Sequence, residues 1–100
     1  MQPLHSYLDA IKHLCQQHRV RRLLVFGSVL TPAFGPDSDV DLVAEFKLMP
    51  LEDYADNYLA LKSALEALLG RPIDLLEAQA IRNPYFRQQL AATQQLLYAA

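Results

Sequence analysis

Apolar residues recur along this chain with two different periods. Leu4, Tyr7, Leu8, Ile11, Leu14 and Cys15 fall three or four apart, which predicts a first amphipathic helix. Leu23-Leu24-Val25-Phe26 is an unbroken apolar run ending at Gly27 and predicts a buried strand at about 22–27. Over 40–46 the period shortens to two. Val40, Leu42, Ala44 and Phe46 take one face of a second strand, and Asp39, Asp41, Val43 and Glu45 take the other. Leu51, Tyr54, Ala55, Tyr58, Leu61, Leu65, Leu68 and Leu69 return to helical spacing. This second helix begins after Pro50 and is stopped by Gly70 and Pro72. A third strand is predicted over 73–77. Asn83 as N-cap and Pro84 at the first helical position then open a last helix, with Phe86, Leu90, Thr93 and Leu97 along one face and Leu96-Leu97-Tyr98 at its end.

The unit 40–77 reads strand, helix, strand, which favours a right-handed crossover between parallel neighbours. The expected fold class is α/β, a small mixed β-sheet with helices packed on it, and residues 1–100 are expected to form a single domain. An apolar fraction of 52% suits a packed core. A net charge of −2 gives no electrostatic basis for direct nucleic-acid binding. Cys15 is the one cysteine, so no intrachain disulfide is possible. No apolar run approaches the roughly 18 residues of a membrane span and no signal-peptide pattern opens the chain, so a cytoplasmic protein without membrane contact is expected.

The strand pattern places Asp39 and Asp41 two residues apart. On an extended chain they project the same way, with Cα atoms about 6.6 Å apart. Two such carboxylates converge on hard cations. Mg²⁺ prefers a few carboxylates together with waters and phosphate oxygens, and two ions about 3.5–4 Å apart clamp both oxygens of an in-line displacement. The bland alternative is a pair of solvent-side residues on an edge strand. Asp is depleted in strands, however, and two on one face repel unless neutralised. Gly27-Ser28 supplies the complementary half. Gly27 admits a phosphate close to the main chain, and the Ser28 hydroxyl with nearby backbone N–H groups offers donors to anionic oxygens. An anion cradle opposite a carboxylate pair suits a metal-bound nucleoside triphosphate. Ser38 either caps a turn with Asp37 or contacts phosphate.

Gly27-Ser28, ten intervening residues and then Asp39-Val40-Asp41, preceded by Pro36-Asp37-Ser38, closely resemble the DNA polymerase β-like nucleotidyltransferases, and in particular their minimal (MNT) branch. The resemblance covers most of the chain, including the tail from Asn83-Pro84-Tyr85-Phe86. It implies a third carboxylate on a later strand, a place that Asp74 in Arg71-Pro72-Ile73-Asp74-Leu75-Leu76 fits. It further implies that Asp39, Asp41 and Asp74 are catalytic and hold Mg²⁺, that Gly27, Ser28 and Ser38 lie against ATP, and that Asp74 helps to deprotonate an attacking hydroxyl. Domains of this type resemble the antitoxin half of HEPN/MNT toxin–antitoxin pairs, which implies AMP transfer from ATP to a tyrosine of a HEPN toxin partner. Two alternatives stand beside this: a catalytically silent antitoxin that acts by occlusion, and an enzyme modifying a small hydroxyl compound. The chain departs from the family at Val29, where Arg is common, and over Val29-Leu30-Thr31-Pro32-Ala33-Phe34, where a basic, glycine-containing stretch is usual. Losing that cation weakens the argument for tight triphosphate binding, which metal and main chain could still supply; Val29 favours the silent reading, whereas the three aspartates favour the enzyme.

Other clusters carry less. His5, Asp9 and His13 are four apart on the first helix, without a fourth ligand nearby to make a zinc site. Arg19, Arg21 and Arg22 read as a solvated helix end. Phe34, Tyr85 and Tyr98 are candidates for partly exposed aromatics, the latter two on the last helix, that a partner protein would cover.

Overall fold

The computed structural model describes residues 6–26 and 40–100. The elements are α1 (Leu8–Gln17), β1 (Val20–Phe26), β2 (Val40–Phe46), α2 (Leu51–Leu69), β3 (Ile73–Glu77), a short 3₁₀ turn (Ala78–Ala80), α3 (Pro84–Thr93) and β4 (Gln95–Ala99). They form a four-stranded mixed sheet in the order β3-β2-β1-β4. β1 pairs antiparallel with both β2 and β4, while β2 and β3 are parallel, as the strand–helix–strand unit requires.

One face of the sheet makes the main core. Val20, Leu23 and Val25 of β1, Val40, Leu42, Ala44 and Phe46 of β2, and Ile73 and Leu75 of β3 pack with Ile11 and Cys15 of α1 and Leu61 and Leu65 of α2. The period-two and period-3.6 patterns therefore meet on a single apolar layer. Burial pushes the Cys15 thiol up to about 12, so it behaves as a small hydrophobe. The α1–β1 turn is fixed by Arg19 in the left-handed region (φ 59°) and by the Asn57 amide, which donates to the His18 carbonyl at 2.7 Å. Helix α2 follows Pro50, carries Glu52 and Asp53 in its first turn, and ends at Gly70 with φ 67°, whose N–H bonds to the Glu66 carbonyl at 2.8 Å.

The last helix is shorter than the sequence predicts. It stops at Thr93, and Leu96-Leu97-Tyr98 lies in β4. Pairing with β2 leaves the other edge of β1 with unmet backbone donors and acceptors, and the tail satisfies them. The Ala100 N–H completes the pairing on the Arg21 carbonyl at 2.8 Å, and Leu97 closes the core. Tertiary pairing overrides the helical preference of Gln and Leu here. Tyr98 is accordingly a strand residue, half-buried against the core, while Tyr85 on α3 is exposed. Phe34 lies outside the described residues. Arg21 and Arg22 are strand residues of β1, not a helix end.

Candidate active site

The second face of the sheet carries the polar positions. Phe26, Asp41 and Asp74 form one row across it, with Asp41 the register partner of Phe26 in β1 and of Asp74 in β3. Both aspartates are the second residue of their strands. Register partners project from the same face, and neighbouring strands run about 4.8 Å apart. The two carboxylates thus rise side by side, Asp41 half-buried and Asp74 exposed. Asp74 is exposed although it shares a strand face with Leu76, which is half-buried because it packs on the Leu24 and Val43 cluster.

That arrangement offers hard, anionic oxygen donors and no sulfur or imidazole, which suits Mg²⁺ rather than zinc. Among the described residues no group of three His, Cys, Asp or Glu side chains forms a metal site. Asp39, the third member of the expected set, lies outside the described residues, as do Gly27, Ser28, Ser38 and Val29. Asp9 and His13 are exposed on α1, and His5 too lies outside.

Farther along the same face, Leu24 and Val43 form a small second cluster with Phe26, Leu76, Ala78 and Ile81. A groove of about 500 Å³ runs over Leu24 and Val43 between Arg22, Glu45 and Arg87. Arg21, Arg22 and Arg87 outnumber the one carboxylate of its lining, Glu45, so the groove is net basic. The Arg22 guanidinium donates to Glu45 at 2.8 Å, and Arg21 stands 3.8 Å away from the same carboxylate. The Arg22 bond, with the charges of both arginines, holds the Glu45 carboxyl below its ordinary value. Arg87 donates to the Ile81 and Ala78 carbonyls, tying α3 to the 3₁₀ turn.

Beside Asp74, β3 is an edge strand, and α2 lies along it. The Tyr54 hydroxyl donates to Glu77 at 2.8 Å, the Tyr58 hydroxyl donates to the Leu75 carbonyl at 2.6 Å, and the Ile73 N–H donates to Glu66 at 3.1 Å. Burial, reinforced by the Glu77 bond and charge, pushes the Tyr54 hydroxyl up to about 12. Burial also raises Tyr58, with the negative charges of Glu77 and Asp74 adding and Lys62 opposing. The sequence pattern places Tyr54 and Tyr58 on the packing face and is silent about their hydroxyls. The available signal is tyrosine, rather than leucine or phenylalanine, at i and i+4.

Comparison with known proteins gives the class. The sequence pattern of the family described as Polymerase beta, Nucleotidyltransferase matches residues 9–100. Protein adenylyltransferase MntA of Thermococcus cleftensis is 32% identical over 84 residues, covering 83% of this chain and 82% of that protein. A solved structure of a candidate minimal nucleotidyltransferase matches with a TM-score of 0.78 and 31% identity, covering 95% of each chain. The structure of a tri-AMPylated Shewanella oneidensis HEPN toxin in complex with MNT antitoxin shares the fold, with a TM-score of 0.66 and 17% identity over 100% of this chain and 74% of that one. A mixed four-stranded sheet with helices packed on it matches the nucleotidyltransferase fold. The chain belongs to the polymerase beta nucleotidyltransferase family.

Proposed function

We propose that this chain is a Mg²⁺-dependent protein adenylyltransferase that transfers AMP from ATP to a tyrosine hydroxyl of a HEPN-type toxin and thereby acts as its antitoxin. The observation that carries the reading is the register pairing of Asp41 with Asp74, which aligns two carboxylates at the same level of one sheet face. Support for a protein acceptor comes from the adenylyltransferase name of the Thermococcus relative and from the AMPylated toxin in the Shewanella complex.

Asp39, Asp41 and Asp74 are the residues that would hold the metal, which when bound neutralises charge on the triphosphate and on the leaving pyrophosphate. Gly27 and Ser28, with Ser38 nearby, would receive phosphate oxygens on backbone N–H and hydroxyl donors. The acceptor hydroxyl oxygen forms a bond to the α-phosphorus as the bond from that phosphorus to the bridging oxygen breaks. Pyrophosphate leaves with the electron pair, and Asp74 takes the hydroxyl proton. The chain's own contribution is positioning and electrostatics, which suffices for phosphoryl-group chemistry.

Incubating the purified chain with α-labelled ATP, Mg²⁺ and the protein encoded beside it tests this directly. Label on the partner supports the transferase. A stable complex without label supports occlusion, the outcome that Val29 in place of the family's common Arg favours. Label on an added aminoglycoside or similar polyol, but not on the partner, points to a small hydroxyl substrate.

A further inference from the structure

Tyr54, Tyr58, Lys62 and Glu66 are spaced four apart on α2 and form a single stripe along that helix. The stripe runs antiparallel to β3: Tyr54 reaches Glu77, Tyr58 reaches Leu75, and Glu66 reaches Ile73. Lys62 stands 3.6 Å from the Glu66 carboxylate and steadies it.

The backbone explains why these contacts matter to one residue. The Val40 N–H bonds to the Pro72 carbonyl at 3.2 Å, so residues 72, 74 and 76 turn their backbone polar groups toward β2. Residues 73, 75 and 77 turn theirs to the open edge. Those outward groups at 73 and 75 are the ones that α2 takes up, immediately before and immediately after Asp74. A slip of β3 by one residue would turn Asp74 into the core, and a slip by two would carry it about 6.6 Å away from Asp41.

Resting on the reading of Asp41 and Asp74 as metal-holding residues, we infer that Tyr58 and Glu66 are positioning residues: they grip the β3 backbone on either side of Asp74 and hold its carboxylate level with Asp41. Neither touches the reacting atoms. An apolar pair at these positions would still cover the strand edge but would leave the Ile73 N–H and Leu75 carbonyl without these partners, so that the ladder with β2 alone would hold the strand's height. Site groups need placement to within about 0.5 Å, which packing alone does not guarantee at an edge strand.

The test is Mn²⁺ affinity, read by calorimetry in the presence of a non-hydrolysable ATP analogue, with the melting temperature of each variant measured in parallel and binding measured well below it. Tyr58→Phe is expected to weaken Mn²⁺ binding by about tenfold, the low end of the effect of removing a direct partner of a metal ligand, since Tyr58 acts through the backbone next to Asp74. Glu66→Leu is expected to do the same, while Glu66→Gln, which keeps an acceptor oxygen for the Ile73 N–H, retains most of the affinity. In an Asp74→Asn background, Tyr58→Phe should lower the melting temperature as before yet leave Mn²⁺ affinity unchanged. Unaltered affinity in Tyr58→Phe and Glu66→Leu, or an equal loss with and without Asp74, overturns the inference and leaves α2 a purely structural brace. If Asp74→Asn alone leaves Mn²⁺ affinity intact, the site reading itself fails, and the positioning role falls with it.

Discussion

Asp41 and Asp74 face each other across the parallel β2–β3 ladder, each one residue inside its strand and both on the sheet face opposite the core. Like charges directly opposite on a sheet are destabilising. A cation held between the two carboxylates would offset it. In metal-free buffer, Asp74→Asn is therefore expected to unfold at the same or a slightly higher temperature than the parent chain. With millimolar Mg²⁺ and ATP the parent should gain stability by mass action and the variant should not. Thermal melts with and without Mg²⁺ check both halves.

Tyr54 gives a prediction at alkaline pH. Its hydroxyl donates to Glu77 and titrates at about 12 in the folded protein, against an ordinary value of 10.0. A folded-state pKa raised above the unfolded value contributes stability that is complete below pH 10 and is lost as pH rises toward 12. Tyr54→Phe keeps the edge-to-face contact with Phe46, whose ring lies 5.5 Å away, and removes only the bond to the carboxylate. It should cost about 1 kcal/mol at neutral pH. The gap between the two proteins should close between pH 10 and 12, as read from denaturant midpoints over that range.

The tail sets a buried leucine beside an exposed one. Leu97 is 7% exposed and packs in the main core, whereas its neighbour Leu96 is 52% exposed. Leu97→Ala should cost about 2–4 kcal/mol, as buried leucine truncations do. Leu96→Ala should stay within about 0.5 kcal/mol of the parent, as exposed positions do. Chemical denaturation of the two variants checks the contrast, and equal losses would contradict the burial of Leu97 in the core.

Much of the architecture was legible because single patterns decided it. The alternation over Val40–Phe46 fixes which face of β2 is apolar, and Pro50 with Gly70 brackets α2. The same alternation in β3 turns Asp74 away from the core together with Asp41, so the pair follows from periodicity once the strands are known to be parallel neighbours. What the sequence hid depends on distant chain segments meeting. Leu96-Leu97-Tyr98 looks helical until the free edge of β1 is available to pair with it. Val43 sits in the polar register of β2 yet is buried, because Ala78 and Ile81 fold across that face. The hydroxyls of Tyr54 and Tyr58 have targets only after α2 has docked beside β3.

The central claim is that the Asp41–Asp74 pair, with Asp39, performs AMP transfer to a partner protein. It is tested most directly by the intact mass of the protein encoded beside this chain after co-incubation with the chain, ATP and Mg²⁺. The account predicts that the neighbour gains one or more AMP masses on tyrosine, and that Asp41→Asn and Asp74→Asn each abolish the gain while still forming the complex. A neighbour that binds the parent chain but keeps its original mass under those conditions would contradict the transferase and leave inhibition by occlusion in its place.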